Sequence, residues 1–142
     1  MNKSISISAL GAVYYEDDPS HFEQALKSVL NQTRPPDEVV LVVDGAIPRL
    51  LENIIQHYEE DLIIVRLEKN VGLGAALNCG LDVCKGQYVA RWDADDIQVS
   101  NRFDKQINFL ASKEDITVLG GLISEFKEEV GDLFQIRQVP LN

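Results

Sequence analysis

The chain has 142 residues, a length that fits one compact domain with a sizeable apolar core. Hydrophobic residues make up 45% and charged residues 25%, and the formal net charge of -10 makes the surface repel phosphate backbones, so nucleic acid is not expected as a partner. No stretch approaches the roughly 20 apolar residues of a membrane span, and Met1 to Leu10 alternates Ser with Ile instead of following a signal peptide's charged-then-apolar order, from which a cytoplasmic location is expected.

Ser4 to Leu10 reads as a first strand, followed by a loop from Gly11 to Pro19. Phe22, Ala25, Leu26, Val29 and Leu30 then recur at helical spacing, with Ser20 as N-cap and Glu23 three residues on, as in a capping box. Pro35-Pro36 stops that helix, and Glu38 to Val43 is a continuous β-branched run suited to a strand buried on both faces. Asp44-Gly45 turns the chain into a helix over Arg49 to Tyr58, which leads to a strand over Leu62 to Leu67. Asn70-Val71-Gly72 breaks the pattern before a third helix that runs to about Cys84. Cys79 and Cys84 both fall in it, too divergent to bridge, and are expected as reduced packing thiols.

Lys85-Gly86 ends that helix, Gln87 to Trp92 forms the next strand, and Asp93 to Asp96 stands at its carboxyl end. Phe103, Ile107 and Leu110 mark a helix over Arg102 to Leu110, Ile116 to Leu119 and Leu122 to Phe126 read as further strands, and after Val130 the pattern loses definition. The alternation of strand-length and helix-length runs predicts an α/β fold, a mainly parallel sheet with helices on both faces, as one domain over residues 1–142.

Ligands of such sheets bind beyond the carboxyl ends of the strands. Four groups fall there: Tyr14, Glu16 and Asp17 after the first strand, Asp44 after the second, Asn70 and Gly72 after the third, and Asp93, Asp95 and Asp96 after the fourth. Three carboxylates within four residues repel one another unless a cation compensates them. A hard ion such as Mn²⁺ or Mg²⁺, bound by one or two carboxylates and completed by substrate phosphates, fits that need. The plainer reading is that Asp95 and Asp96 decorate a turn before a helix. Gly72-Leu73-Gly74 begins like a dinucleotide fingerprint, but the third glycine position is Leu77, and the strand arrives third instead of opening the fold. His21 and His57 sit on helices among solvent-facing neighbours and support no catalytic set.

Five blocks in order resemble the family 2 glycosyltransferases of GT-A fold, from about Ile5 to Phe126. They are the strand ending at Tyr14, then Ala25-Leu-Lys-Ser-Val-Leu-Asn-Gln-Thr33, Glu38-Val-Val-Leu-Val-Val-Asp-Gly45, Asn70-Val-Gly-Leu-Gly-Ala-Ala-Leu-Asn78, and Gly86-Gln-Tyr-Val-Ala-Arg-Trp-Asp-Ala-Asp-Asp96 running on to Asn101-Arg102. The first departs from the family, with Gly11-Ala-Val-Tyr-Tyr15 in place of its proline and Tyr-Asn pair. The third has Val43 and Ala46 where the family has Asp and Ser. The sequel through Leu110 is most similar to enzymes of bacterial surface polysaccharides, that is O-antigen, capsule or exopolysaccharide.

The resemblance implies an inverting transferase that binds a nucleoside-diphosphate sugar, by analogy a UDP-sugar, and passes the sugar to a carbohydrate or lipid-linked saccharide at the inner face of the membrane. Asp44 is implied at the nucleobase, Asp93 at the ribose or base, Asp95 on the metal and Asp96 behind it. Tyr14 and Glu16 line the base pocket or stand in solvent, Gly72 is implied at the nucleotide, and Asn70, like Asn78, touches the ligand or fastens its own loop or helix by side-chain hydrogen bonds. Arg102 is expected to pair with the Asp cluster. The family's general base, a carboxylate beyond the donor-binding half, is expected past Asn142, Glu125, Glu128, Glu129 and Asp132 being the late carboxylates at hand. The chain thus reads as the donor-binding piece of a longer glycosyltransferase, with a nucleotide-binding or interaction module without transfer as the alternative.

Overall fold

The structure, a computed structural model, describes residues 4–127, 129–130 and 133–137, which places Glu128 and Asp132 outside the described residues. It divides into a unit up to Asn108 and a second from Phe109. In the first, Val39 to Val43 are all buried, as a β-branched run covered on both faces should be, and they form the heart of β2 (Glu38–Asp44). β1 (Ile7–Val13) pairs with β2 in parallel on one side and with β4 (Tyr88–Arg91) in parallel on the other, while β3 (Ile63–Leu67) extends β2's far edge. The order is β3-β2-β1-β4. The sequence-predicted α/β architecture with a parallel sheet is therefore present.

One face is covered by α1 (Pro19–Leu30), α2 (Arg49–His57) and the start of α4 (Arg102–Ala111). Phe22, Ala25, Leu26 and Val29 of α1, Leu51 and Ile55 of α2, and Phe103 and Ile107 of α4 share a core with Ala9, Val13, Leu41 and Trp92. The opposite face carries α3 (Leu73–Leu81), which meets Leu10, Val40 and Val42 through its small residues Ala76 and Gly80.

Several boundaries differ from the sequence reading. β1 begins and ends later, because Gly11 is a strand residue and not a loop breaker: a Cβ there would lie 2.4 Å from Trp92 Cε2, so the bare backbone is what admits the indole. The N-cap of α1 is Asp18, whose carboxylate accepts the His21 amide at 3.0 Å, and not Ser20. Pro19 at the first turn, with φ already preset for a helix, starts the helix early. Helix α3 stops at Leu81, so Cys84 lies past its end. Both cysteines are free and half-buried, as expected.

In the second unit, residues 116–119 form no strand, and the segment after Val130, where no pattern was legible, contributes one. β5 (Ile123–Phe126) and β6 (Leu133–Arg137) pair antiparallel with an irregularity between Glu125 and Phe126, and Glu125 forms an ion pair with Arg137 across them. β-propensity becomes a strand only where a partner supplies the ladder, which accounts for both misreadings.

Gly11→Ala is expected to destabilise the chain by about 1–3 kcal/mol through overpacking against the indole. Urea denaturation followed by Trp92 fluorescence checks it.

Candidate functional site

The strand order reverses at β1: β2 and β3 extend one side and β4 returns to the other, so the loops leaving β1 and β4 diverge and open a crevice above their carboxyl ends. A cavity of about 380 Å³ lies there, within the range of small-ligand sites. Its lining includes Tyr14 and Asp17 from the loop after β1, Asp44 from the end of β2, Asn70, Gly72 and Leu73 from the approach to α3, and Arg91, Asp93 and Asp95 from the end of β4 and beyond. Six sequence-predicted residues thus converge: Tyr14, Asp44, Asn70, Gly72, Asp93 and Asp95.

Glu16 and Asp96 are not in the lining. The chain after β1 turns tightly, with the Asp17 amide on the Tyr14 carbonyl at 3.2 Å and the Tyr14 amide on Asp17 Oδ2 at 2.9 Å. That turn brings the half-buried Asp17 over the strand end and leaves Glu16 exposed, where it accepts the Tyr14 hydroxyl at 3.1 Å. This bond is the main reason the Tyr14 hydroxyl titrates above its ordinary range. Asp17, present in the sequence reading only as a neighbour of Tyr14 and Glu16, is the acid that the fold selects.

Asp44 is buried, and both of its oxygens are taken by backbone amides: Oδ1 by Val71 at 2.8 Å and Oδ2 by Gly72 at 3.1 Å. Asn70 Nδ2 donates to the Asp44 carbonyl at 3.4 Å. Gly45, at φ 87, turns the chain directly against the Asn70 amide, which a Cβ would approach to 2.6 Å. Asp44 and Asn70 therefore clasp the end of β2 to the loop that enters α3.

The acidic loop after β4 is held from beneath. Buried Gln32 donates to the carbonyls of Ser28 (3.0 Å) and Val99 (2.8 Å) and accepts the Phe103 amide (3.1 Å), while the Ser28 hydroxyl accepts the Gln98 amide at 2.9 Å. Composition alone does not mark Gln32; its place just after α1, within the family-like block Ala25 to Thr33, is the signal the sequence offers. Among the described residues Arg102 makes no ion pair with an Asp, contrary to expectation. It donates to the Arg91 carbonyl (3.0 Å), Gln98 Oε1 (2.6 Å) and Gln106 Oε1 (3.1 Å). The ion pair of the cluster is made by Arg91, with Nη2 2.8 Å from Asp93 Oδ1.

Electrostatically the cavity is acidic. Burial pushes the Asp17 carboxyl up, and Asp95 and Asp93 push it further against the Tyr14 amide bond. The exposed Asp96 carboxyl is also raised, first by desolvation and then by Asp95 and Asp93, with Arg91 and Arg102 opposing. Among the described residues no three His, Cys, Asp or Glu side chains form a group that could hold an ion. Of the carboxylates in the lining, Asp95 is the exposed one, and a hard cation completed by ligand oxygens would need only one or two such groups.

A family model described as Glycosyl transferase family 2 matches residues 12–138. Over 135 residues the chain is 39% identical to the UDP-Gal:alpha-D-GlcNAc-diphosphoundecaprenol beta-1,3-galactosyltransferase of Escherichia coli, covering 94% of this chain and 49% of that protein. It is also 39% identical over 137 residues to the amylovoran biosynthesis glycosyltransferase AmsE of Erwinia amylovora, covering 95% and 51%. The chain thus spans about half the length of these relatives. The mannosyltransferase PcManGT of Pyrobaculum calidifontis, solved in complex with GDP-Man and Mn²⁺, shares the fold with a TM-score of 0.66 at 24% identity, over 89% of this chain and 37% of that one. The fold is that of the GT-A glycosyltransferases.

Two outcomes follow from the geometry. Asp44→Ala leaves two inward-facing amides unpaired and is expected to cost about 2–4 kcal/mol of stability without any ligand present, read by urea denaturation. Asp96→Asn is expected to raise the melting temperature at neutral pH, because a raised folded-state pKa means the charged form opposes folding there. That advantage should shrink as pH falls through the raised pKa and vanish below the ordinary carboxylate range, in melts recorded from pH 7 downward.

Proposed function

Because the chain belongs to glycosyl transferase family 2, we propose that its cavity binds the donor of a sugar transfer, a nucleoside-diphosphate sugar with uridine as the carrier. The whole protein passes the sugar to a hydroxyl of a carbohydrate or lipid-linked saccharide in the building of O-antigen, capsule or exopolysaccharide. The observation that carries this reading is the convergence of Tyr14, Asp44, Asp93 and Asp95, from the ends of three strands, on one cavity of small-ligand size. The relatives support it through their names, one for transfer from UDP-Gal to a diphosphoundecaprenol-linked sugar and one for amylovoran biosynthesis.

In this reading the residues divide the work according to what already occupies them. Asp44 is satisfied by the backbone and serves by fixing the loop that carries Asn70 and Gly72 into the cavity wall. Tyr14, with its ring part-exposed, packs against the base, and Asp93 accepts a ribose hydroxyl. Asp95 would hold Mn²⁺ or Mg²⁺, with Asp96 next to it in sequence as support. The bound ion supplies Lewis-acid relief of the charge that develops on the leaving diphosphate. The implied reaction is a single inverting displacement at the anomeric carbon. The cavity's carboxylates are engaged by backbone, ribose or ion, so the acceptor's proton goes to a base outside this lining. No helix among the described residues is long and apolar enough to cross a membrane.

Calorimetry with UDP, GDP and dTDP in Mn²⁺, in Mg²⁺ and in chelator is expected to show binding that requires the metal, with Asp95→Ala losing it at least tenfold. Equal affinity in chelator would remove the metal role, and wild-type binding by both Asp95→Ala and Asp93→Ala would refute the site. Acceptor-dependent release of nucleoside diphosphate by the full-length native protein is the expected activity. Binding without release would favour a nucleotide-binding module without transfer.

A further inference from the structure

We infer that Arg91 is a positioning residue that holds Asp93 in its binding geometry, and that Arg102 holds Arg91 for this task. The inference rests on the donor-site reading above and adds to it a residue pair outside the acidic motif. Arg91 is the last residue of β4, in register with Leu10, and the next amide, of Trp92, is bonded to the Leu10 carbonyl at 3.0 Å. Its own carbonyl is held by Arg102 Nη1 at 3.0 Å, and Arg102 is in turn fixed by Gln98 and Gln106. The backbone of Arg91 is thus pinned by α4 and the following peptide by β1, which leaves the guanidinium as the adjustable part.

That guanidinium meets Asp93, two residues further along the chain, at 2.8 Å. Among the described residues the charged ones lining the cavity are Asp17, Asp44, Asp93, Asp95 and Arg91, one cation against four carboxylates. Asp93 and Asp95 already act on Asp17 by repulsion. Without Arg91 the least costly response of Asp93 is to turn away from its acidic neighbours into solvent, and the hydroxyl acceptor of the site is lost. An arginine suits this task better than a lysine, because its planar fork fixes the direction of a carboxylate where an ammonium only neutralises it. Arg102, placed to feel Asp93 and Asp96, spends its donors on neutral oxygens and secures the strand end instead.

The experiment uses Arg91→Gln, Arg91→Lys, Asp93→Asn and the Arg91→Gln/Asp93→Asn double variant. Each is titrated with UDP, GDP and dTDP and with the parent nucleosides in Mn²⁺, by calorimetry or, for the nucleosides, by NMR. Arg91→Gln is expected to weaken the preferred diphosphate and its nucleoside by the same factor, about fivefold, as for loss of a part-exposed ion pair. Arg91→Lys should recover part of this, and Arg91→Gln should add nothing once Asp93 is Asn. A general loss of fold would lower the melting temperature without cancelling in the double variant, and that result would overturn the positioning role. So would a defect confined to the diphosphate and persisting beside Asp93→Asn, which would make Arg91 a direct phosphate ligand, or wild-type binding by Arg91→Gln while Asp93→Asn is weakened. If Asp93→Asn itself binds every nucleotide as wild type does, the donor-site reading is what fails.

Discussion

Strand β1 is paired in parallel along both of its edges, to β2 on one side and β4 on the other, and the chain reaches those two partners by crossovers to opposite sides. Everything at the cavity follows from this arrangement. Parallel pairing sends the carboxyl ends of all four strands to one rim, and the change of direction at β1 prevents the loops there from closing over one another. Gly11 keeps that central strand thin enough for Trp92, the residue after β4, to lie against it, so the start of the acidic loop is seated in the core. The loop's far end is seated by Gln32 and Ser28 of the α1 region. The acidic turn is thereby held at both ends.

Charge then separates the carboxylates into different chemical roles. Asp44 has its two oxygens on amides, Asp17 has one on its own turn, and Asp93 has one on Arg91. Asp95 is exposed beside them and adds to the repulsion felt by Asp17 and Asp96. On the proposed reading, a ligand that brings its own cation would relieve these carboxylates and neutralise its diphosphate together.

The second unit is built on different terms. Its antiparallel pair β5–β6 contains an irregularity and an ion pair between Glu125 and Arg137. Glu125, one of the late carboxylates considered as a base, is therefore engaged across the two strands.

The elements of the first unit were legible from residues alone wherever burial imposes a period. The β-branched run of β2 and the Phe22, Ala25, Leu26, Val29 face of α1 declare their surroundings, because only one placement removes those side chains from water. The acidic cluster and its position at a strand end were legible for the same reason, since the strand before it is fixed by pattern. What the sequence could not decide was which polar groups meet. That Asp17 and not Glu16 faces the cavity depends on a turn, that Arg91 and not Arg102 takes Asp93 depends on where α4 docks, and that Asp44 is spent on amides depends on the loop from β3. The strand status of residues 116–119 and of Leu133–Arg137 likewise depends on a neighbouring ladder. Burial is a property a residue carries in its own chemistry, whereas a hydrogen bond or ion pair belongs to two residues, and for partners as far apart as Asp44 and Val71 only the tertiary structure brings them within reach.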